Sequence, residues 1–206
     1  MKAKVINIDK KAAGDVDLSD EVFSARVNET LIYEATKMQR ANKRKGCASC
    51  KNRSQVHGTT AKMYKQKGLG RARHGAKTAP IFVGGGKAFG PSPRDYSYRM
   101  PKKARRGAVR AALSQKQNEG KLLILDDFPM KAIKTKDAVG ALRGIGVNSG
   151  LLVVEGRSEN LEKSVRNING IKLVRSEGIN VYDIMRYEHT IILKDALAKV
   201  QEVLKP

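Results

Sequence analysis

Two cysteines and two of the three histidines are the residues whose placement in sequence could carry ligand chemistry. Cys47-Ala48-Ser49-Cys50 has the C-x-x-C spacing of a zinc knuckle, and His57 and His74 lie downstream as further ligands for such a site. The two histidines are 17 residues apart, outside the three-to-five spacing of a second zinc half-site, and His74 sits among arginines. The thiol pair falls in a basic loop and not between a strand and a helix, which argues against a thioredoxin-like redox motif. Unpaired thiols are therefore expected, and no metal or cofactor is assigned. Cys47, Cys50, His57 and His74 are the residues that would supply a metal site.

The motifs of common enzymes are missing. No G-x-G-x-x-G follows the first apolar run, and Gly84-Gly85-Gly86-Lys87 lacks both the leading glycine and the trailing hydroxyl of a phosphate-binding loop. Neither H-E-x-x-H nor G-x-S-x-G occurs. Asp126 and Asp127 end an apolar run, where a solvated turn is the simpler reading. The expectation is a protein that is not an enzyme and has no small-molecule substrate.

Charge is distributed very unevenly. The formal net charge is +21, yet residues 40–110 hold 20 Lys and Arg against one acid, Asp95, a net +19. The remaining 135 residues are nearly neutral at +2. A stretch so charged, with ten glycines and no long apolar run, cannot bury enough surface to offset its entropy and repulsion, so it should not fold compactly without a polyanion. Tyr64, Phe82, Phe89, Tyr96 and Tyr98 are spaced among the cations, unlike in a merely solvated charge run. Glycines and prolines preclude the amphipathic helix of a membrane-surface binder. RNA fits better, because arginine pairs bidentately with phosphate, glycine permits close backbone approach and rings stack on unpaired bases.

Composition sets the frame. A chain of 206 residues with 40% apolar content suits one balanced domain plus an appendage. Absent Trp and 5% aromatic content argue against a carbohydrate or lipid site built on stacked rings. Two cysteines point to a reducing compartment without a disulfide framework. Residues 1–8 do not read as a signal peptide, and no window approaches the roughly 18 apolar residues of a membrane span. The expected location is the cytoplasm.

The flanks of the basic stretch must position it, and they read as regular structure. Val5, Ile6 and Ile8 suggest a strand, and the Asp-rich segment from Gly14 to Asp20 reads as turn. Asn28 caps a helix carrying Leu31, Ala35 and Met38 toward residue 42. Ala104, Ala108, Ala111 or Ala112, and Leu113 stripe another helix whose opposite face carries Arg105, Arg106 and Arg110. Apolar runs at 122–125, 151–154, 171–174 and 191–193 suggest buried strands. Between them, Thr135 starts a helix with Val139 and Leu142 inward and Gly144 as its stop. Ser158 starts another with Leu161, Val165 and Ile168 inward and Gly170 as its stop. A last helix begins at Asp195 with Leu197, Val200 and Leu204. This alternation predicts an α/β fold, a mostly parallel sheet flanked by helices, with one long extended basic loop inserted.

Gln66-Lys67-Gly68-Leu69-Gly70-Arg71-Ala72-Arg73-His74-Gly75, Ala79-Pro80-Ile81-Phe82, Phe89-Gly90-Pro91 and Pro93-Arg94-Asp95-Tyr96-Ser97-Tyr98, then Lys102-Lys103 and Arg105-Arg106, together resemble the bacterial-type L-four family of large-subunit ribosomal proteins. The resemblance is strong over residues 53–115 and looser toward both ends. It departs at Met63-Tyr64, where many members have Pro-Trp, and at Phe82-Val83, where many have Trp-Arg. The resemblance implies a globular α/β domain, residues 1–42 and 104–206, and an extended RNA-binding loop, residues 43–103, reaching the wall of the nascent-peptide exit tunnel. It implies RNA contacts by Arg53, Lys62, Lys65, Gln66, Lys67, Arg71 and Arg73 near the loop tip, with Lys67 and Gly68 nearest the tunnel. Arg94, Arg99, Lys102, Lys103, Arg105, Arg106 and Arg110 would hold RNA nearer the globular domain. Arg44, Lys45, Tyr64, Lys77 and Lys87 complete the expected RNA-binding set. The implied partners are large-subunit ribosomal RNA and neighbouring ribosomal proteins, in the cytoplasmic ribosome and with no membrane. A free RNA-binding regulator acting on a transcript is the alternative, as a second activity.

Overall fold

A computed structural model describes residues 1–130 and 132–205. The chain divides into two compact units: Met1–Arg40 together with the chain from Arg99 onward, and Ala41–Tyr98. The first holds a six-stranded sheet in the order β2-β1-β3-β6-β4-β5. These strands are β1 (Lys2–Ile6), β2 (Ala12–Asp17), β3 (Leu122–Leu125), β4 (Gly150–Val154), β5 (Ile171–Arg175) and β6 (His189–Leu193). Among the described strands only β2 runs antiparallel to its neighbour; every other pairing is parallel. The expected α/β architecture, with a mostly parallel sheet flanked by helices, is therefore present.

Side-chain alternation explains why the four apolar runs become central strands. Leu151 and Val153 of β4 enter one core, whereas Leu152 and Val154 enter the other. Ile192 and Ile191 of β6 divide the same way, as do Ile124 and Leu125 of β3. Successive residues of a strand face opposite sides, so a strand covered on both faces must be apolar throughout. One face is covered by α2 (Glu29–Lys43), α3 (Lys102–Asn118), α6 (Val181–Arg186) and α7 (Lys194–Leu204), the other by α4 (Thr135–Ile145) and α5 (Glu159–Val165).

The Asp-rich segment read as turn is instead the edge strand β2. It pairs with β1 in a register that places Asp17 opposite Lys2 and Asp15 opposite Lys4, so acidic residues face basic ones across the strands. Val16 packs against the core, while exposed acids on the outer edge discourage pairing with another chain. The turn itself lies just before, where Lys10 adopts φ +61 and its N–H donates to the Asn7 carbonyl at 2.9 Å.

Three helix boundaries also differ from expectation. α4 starts after Lys134, so Thr135 lies inside it and offers no cap bond. Its stop is Gly146 and not Gly144: Gly146 sits at φ +86, its N–H bonds the Arg143 carbonyl and the Val147 N–H reaches back to Leu142. That is the Schellman closure, which requires a left-handed residue. α5 ends at Val165, leaving Ile168 half-buried in the following turn and Gly170 beyond it. The other helices keep their expected faces. The Asn28 side chain accepts from the Leu31 N–H at 3.1 Å at the start of α2, and Leu197, Val200 and Leu204 of α7 are buried. Two short helices, α1 (Asp20–Phe23) and α6, carry no periodicity long enough to read; Asn180 caps α6 by accepting from the Asp183 N–H at 2.9 Å.

α3 carries the expected apolar stripe and, at Arg105 and Arg106 though not at Arg110, the expected exposed cations. Ala108, Ala111, Ala112 and Leu113 are buried in the core, and Arg105 and Arg106 are exposed. Buried Ser114 ties the helix to the α1 region, accepting from the Ala25 N–H at 3.0 Å and donating to the Val22 carbonyl. Lys116 is buried as well, and its ammonium donates to the carbonyls of Tyr187 and Glu188. No helix among the described residues is long and apolar enough to cross a membrane.

Candidate nucleic-acid interface

Between Lys43 and Lys102 the chain forms neither helix nor strand. Among the described residues, the only side chains buried in the unit from Ala41 to Tyr98 are those of Ala76 and Thr78, so no apolar core organises it. What organises it is a sparse set of backbone bonds between two arms. The Arg94 N–H donates to the Gly46 carbonyl at 3.2 Å, the Cys50 N–H to Pro91 at 2.9 Å and the Lys87 N–H to Lys51 at 3.0 Å. Glycine makes this approach feasible at Gly46. A Cβ there would lie 2.0 Å from the Arg94 carbonyl oxygen, and the residue sits at φ +65.

At the far end of the arms, the Met63 N–H donates to the Gly75 carbonyl at 3.2 Å and closes a turn containing Lys65, Gln66, Lys67, Gly68, Arg71 and Arg73. Gly68 has φ +88, and a Cβ there would meet nothing within 4 Å, so the tip backbone is uncrowded. Lys62 donates to Gln66, and the Tyr64 hydroxyl donates to the Ala72 carbonyl. His74 packs edge-on against Tyr64 and Phe82, with ring centroids 6.3 and 5.1 Å apart. Two of the rings expected to stack on bases are thus engaged with His74, whereas Phe89 is fully exposed. A solvent-open hollow of about 400 Å³ lies between the arms, lined by Arg53, Ser54, Thr78 and Lys87 among others.

Nearly all of the expected cations reach solvent. In this unit Arg44, Lys45, Arg53, Lys62, Lys65, Lys67, Arg71, Arg73, Lys77, Lys87 and Arg94 are exposed, as is Gln66. In the sheet unit Arg99, Lys102, Lys103, Arg105 and Arg106 are exposed, the last four on the first turns of α3. Arg110 differs from expectation: it is half-buried, and its Nε is enclosed without a partner. Ion pairs among the described residues fall elsewhere, as in Lys172 with Asp183 and Lys194 with Asp126. Asp95, the one acid of the stretch, accepts from the Ser97 N–H at 2.8 Å and its hydroxyl at 2.7 Å, which lowers the Asp95 carboxyl below its ordinary value.

One cluster leaves no trace in the sequence. The guanidinium carbons of Arg44 and Arg94 lie 4.0 and 4.4 Å from the centroid of the Tyr96 ring. A hydrogen bond from Arg94, then the charges of Arg44 and Arg94, hold the Tyr96 phenol below its ordinary value. The i, i+2 spacing of Arg94 and Tyr96 puts them on one side of an extended chain. Arg44 is too distant in sequence for any local signal to reveal it.

Cys47 and Cys50 are free and exposed, and the Cys47 thiol lies 3.7 Å from the Lys45 carbonyl. The structure does not bring them together with His57 and His74: no group of three His, Cys, Asp or Glu among the described residues is placed to hold a metal. His74 belongs instead to the ring cluster.

The sequence resembles known proteins along nearly its whole length. The profile of the ribosomal protein L4/L1 family matches residues 16–203. The chain is 48% identical over 203 residues to the large ribosomal subunit protein uL4 of Syntrophus aciditrophicus, covering 98% of this chain and 94% of that protein. It is 45% identical to the uL4 of Desulforudis audaxviator and 43% to that of Natranaerobius thermophilus, over 98% of both chains in each case. A profile spanning most of the chain, with full-length relatives at such identity, shows that the chain belongs to the ribosomal protein L4/L1 family.

Proposed function

We propose that this protein is a structural constituent of the large ribosomal subunit and binds ribosomal RNA. Residues 1–42 and 104–206 form its globular domain in this reading, and residues 43–103 its extended RNA-binding loop. The observation that carries it is the run of exposed cations from Arg44 to Arg106, none with an acid in ion-pair reach among the described residues. A segment with no core has little to set against its own repulsion, and a phosphate backbone supplies the missing counter-charge. The names of the relatives support the same reading. The role is that of a scaffold, with neighbouring ribosomal proteins as further partners and the cytoplasmic ribosome as its place.

Within that reading Arg53, Lys62, Lys65, Gln66, Lys67, Arg71 and Arg73 hold RNA at the tip, and Lys67 with Gly68 lies nearest the peptide exit tunnel. Arg44, Lys45, Lys77, Lys87 and Arg94 act along the arms, and Arg99, Lys102, Lys103, Arg105, Arg106 and Arg110 nearer the sheet. Sedimentation of the tagged chain with large subunits tests the first claim. Recovery on one isolated transcript instead would favour a free regulator. Ribosomes carrying Lys67→Glu test the second claim: incorporation is expected to persist while binding of tunnel-directed antibiotics changes. Loss of incorporation would defeat the tunnel placement.

A further inference from the structure

Two guanidinium groups share one phenol ring. Arg44 and Arg94 come from opposite arms, and both lie over Tyr96 at 4.0 and 4.4 Å from its centroid. The two cationic carbons can be no farther apart than the sum of those distances. Like charges at that separation repel, and the ring quadrupole offsets only part of the repulsion. The nearest acid in sequence, Asp95, does not relieve it, because its carboxylate is taken up by Ser97 and forms no ion pair with either arginine. The arms are nevertheless held so that the pair forms. The Arg94 N–H bonds the Gly46 carbonyl, a Cβ on Gly46 would lie 3.1 Å from the Tyr96 ring, and the Tyr98 N–H donates to the Asn42 side chain at 3.0 Å.

We propose that Arg44, Arg94 and Tyr96 form a preorganised phosphate clamp for the RNA backbone, with Tyr96 as its positioning residue. This rests on the RNA-binding reading above and specifies where one contact is made. Contact with the ring restricts where each guanidinium can lie, and with it the N–H donors that would bind phosphodiester oxygens bidentately. The ordering entropy of two long side chains is thereby met in the free protein, so less is lost when phosphate binds. Phosphodiester oxygens at the guanidiniums also supply the negative charge that the ring and Asp95 do not.

The test is binding of the full-length chain to purified, protein-free large-subunit ribosomal RNA across a salt series. Arg44→Ala and Arg94→Ala are each expected to make the log–log salt slope shallower by about 0.7 to 0.9, the contribution of one phosphate contact. Tyr96→Ala removes no charge, yet is expected to weaken binding by roughly threefold to tenfold through lost preorganisation. Tyr96→Phe, which keeps the ring, is expected to recover most of that loss. Adding Tyr96→Ala to a variant that already lacks both arginines, Arg44→Ala with Arg94→Ala, should weaken binding little further, because the ring acts through those two side chains. Wild-type affinity in Tyr96→Ala, or an undiminished effect of Tyr96→Ala when both arginines are already absent, would overturn the clamp while leaving RNA binding intact. A wild-type chain that fails to bind this RNA would overturn the RNA reading and the clamp with it.

Discussion

Doubling the salt concentration is expected to release the protein from ribosomal RNA by a factor that the charge map sets. Seventeen lysines and arginines from Arg44 to Arg106 are exposed, on a stretch whose one acid is bound to Ser97. If roughly half of them, about eight, neutralise phosphates, the log–log slope of affinity against salt is about −6 to −7, between the single-strand and duplex limits. Each doubling of salt then lowers affinity roughly 100-fold. Filter binding of the full chain to large-subunit RNA over a fourfold salt range measures this directly. A balanced surface of the kind seen on α5, where Lys163 pairs with Glu159, would contribute almost nothing to the slope. A measured slope shallower than about −2 would mean that the exposed cations are not the main contacts.

Other perturbations probe the fold and the arms separately. Ile192 is fully buried on β6, with Ile124 and Val153 in register on either side. Because both neighbouring strands are fixed, the site collapses poorly, and Ile192→Ala should cost about 3–5 kcal/mol in urea unfolding; a loss under ~1 kcal/mol would count against the packing described. Gly46→Ala forces a Cβ onto the Arg94 carbonyl and should weaken RNA binding, whereas Gly68→Ala meets only its own left-handed φ, a local strain of about 1–2 kcal/mol; equal effects on binding would contradict the arm pairing. Burial holds the Lys116 amine below the ordinary lysine value. The unfolded chain therefore binds more protons between that lowered value and the ordinary one, and stability should rise with pH through this window. Lys116→Met is expected to flatten the rise seen in pH-dependent thermal melts, and an unchanged slope would refute the assignment.

The sheet is legible in sequence because burial on both faces forces unbroken apolar runs. Leu151 to Val154 and Ile191 to Leu193 read as strands from residue type, and their alternation between two cores follows from strand geometry. β2 is not legible, because its stabilisation comes from partners elsewhere in sequence: Asp15 and Asp17 suggest a turn until Lys4 and Lys2 are placed opposite them. The Gly146 stop is hidden for a related reason. Gly144 and Gly146 are both plausible helix ends in sequence, and only the backbone bonds from Gly146 and Val147 to the last turn decide between them.

The basic stretch inverts this relation between sequence and structure. Its charge announces a polyanion partner more plainly than any motif announces the sheet, yet its internal geometry is almost silent in sequence. Arg44 and Arg94 look like any of the 20 cations until Tyr96 places them on one ring. His74 looks like a metal ligand beside Cys47 and Cys50 until Tyr64 and Phe82 close around it. With no core, each local arrangement depends on one or two specific contacts and not on a summed apolar area, so periodicity carries no information about it. The same lack of a core leaves the cations at the surface: a segment that buried more of its length would have fewer donors to offer a phosphate backbone. The features that make this segment hard to read locally are therefore those that fit it to an extended anionic partner.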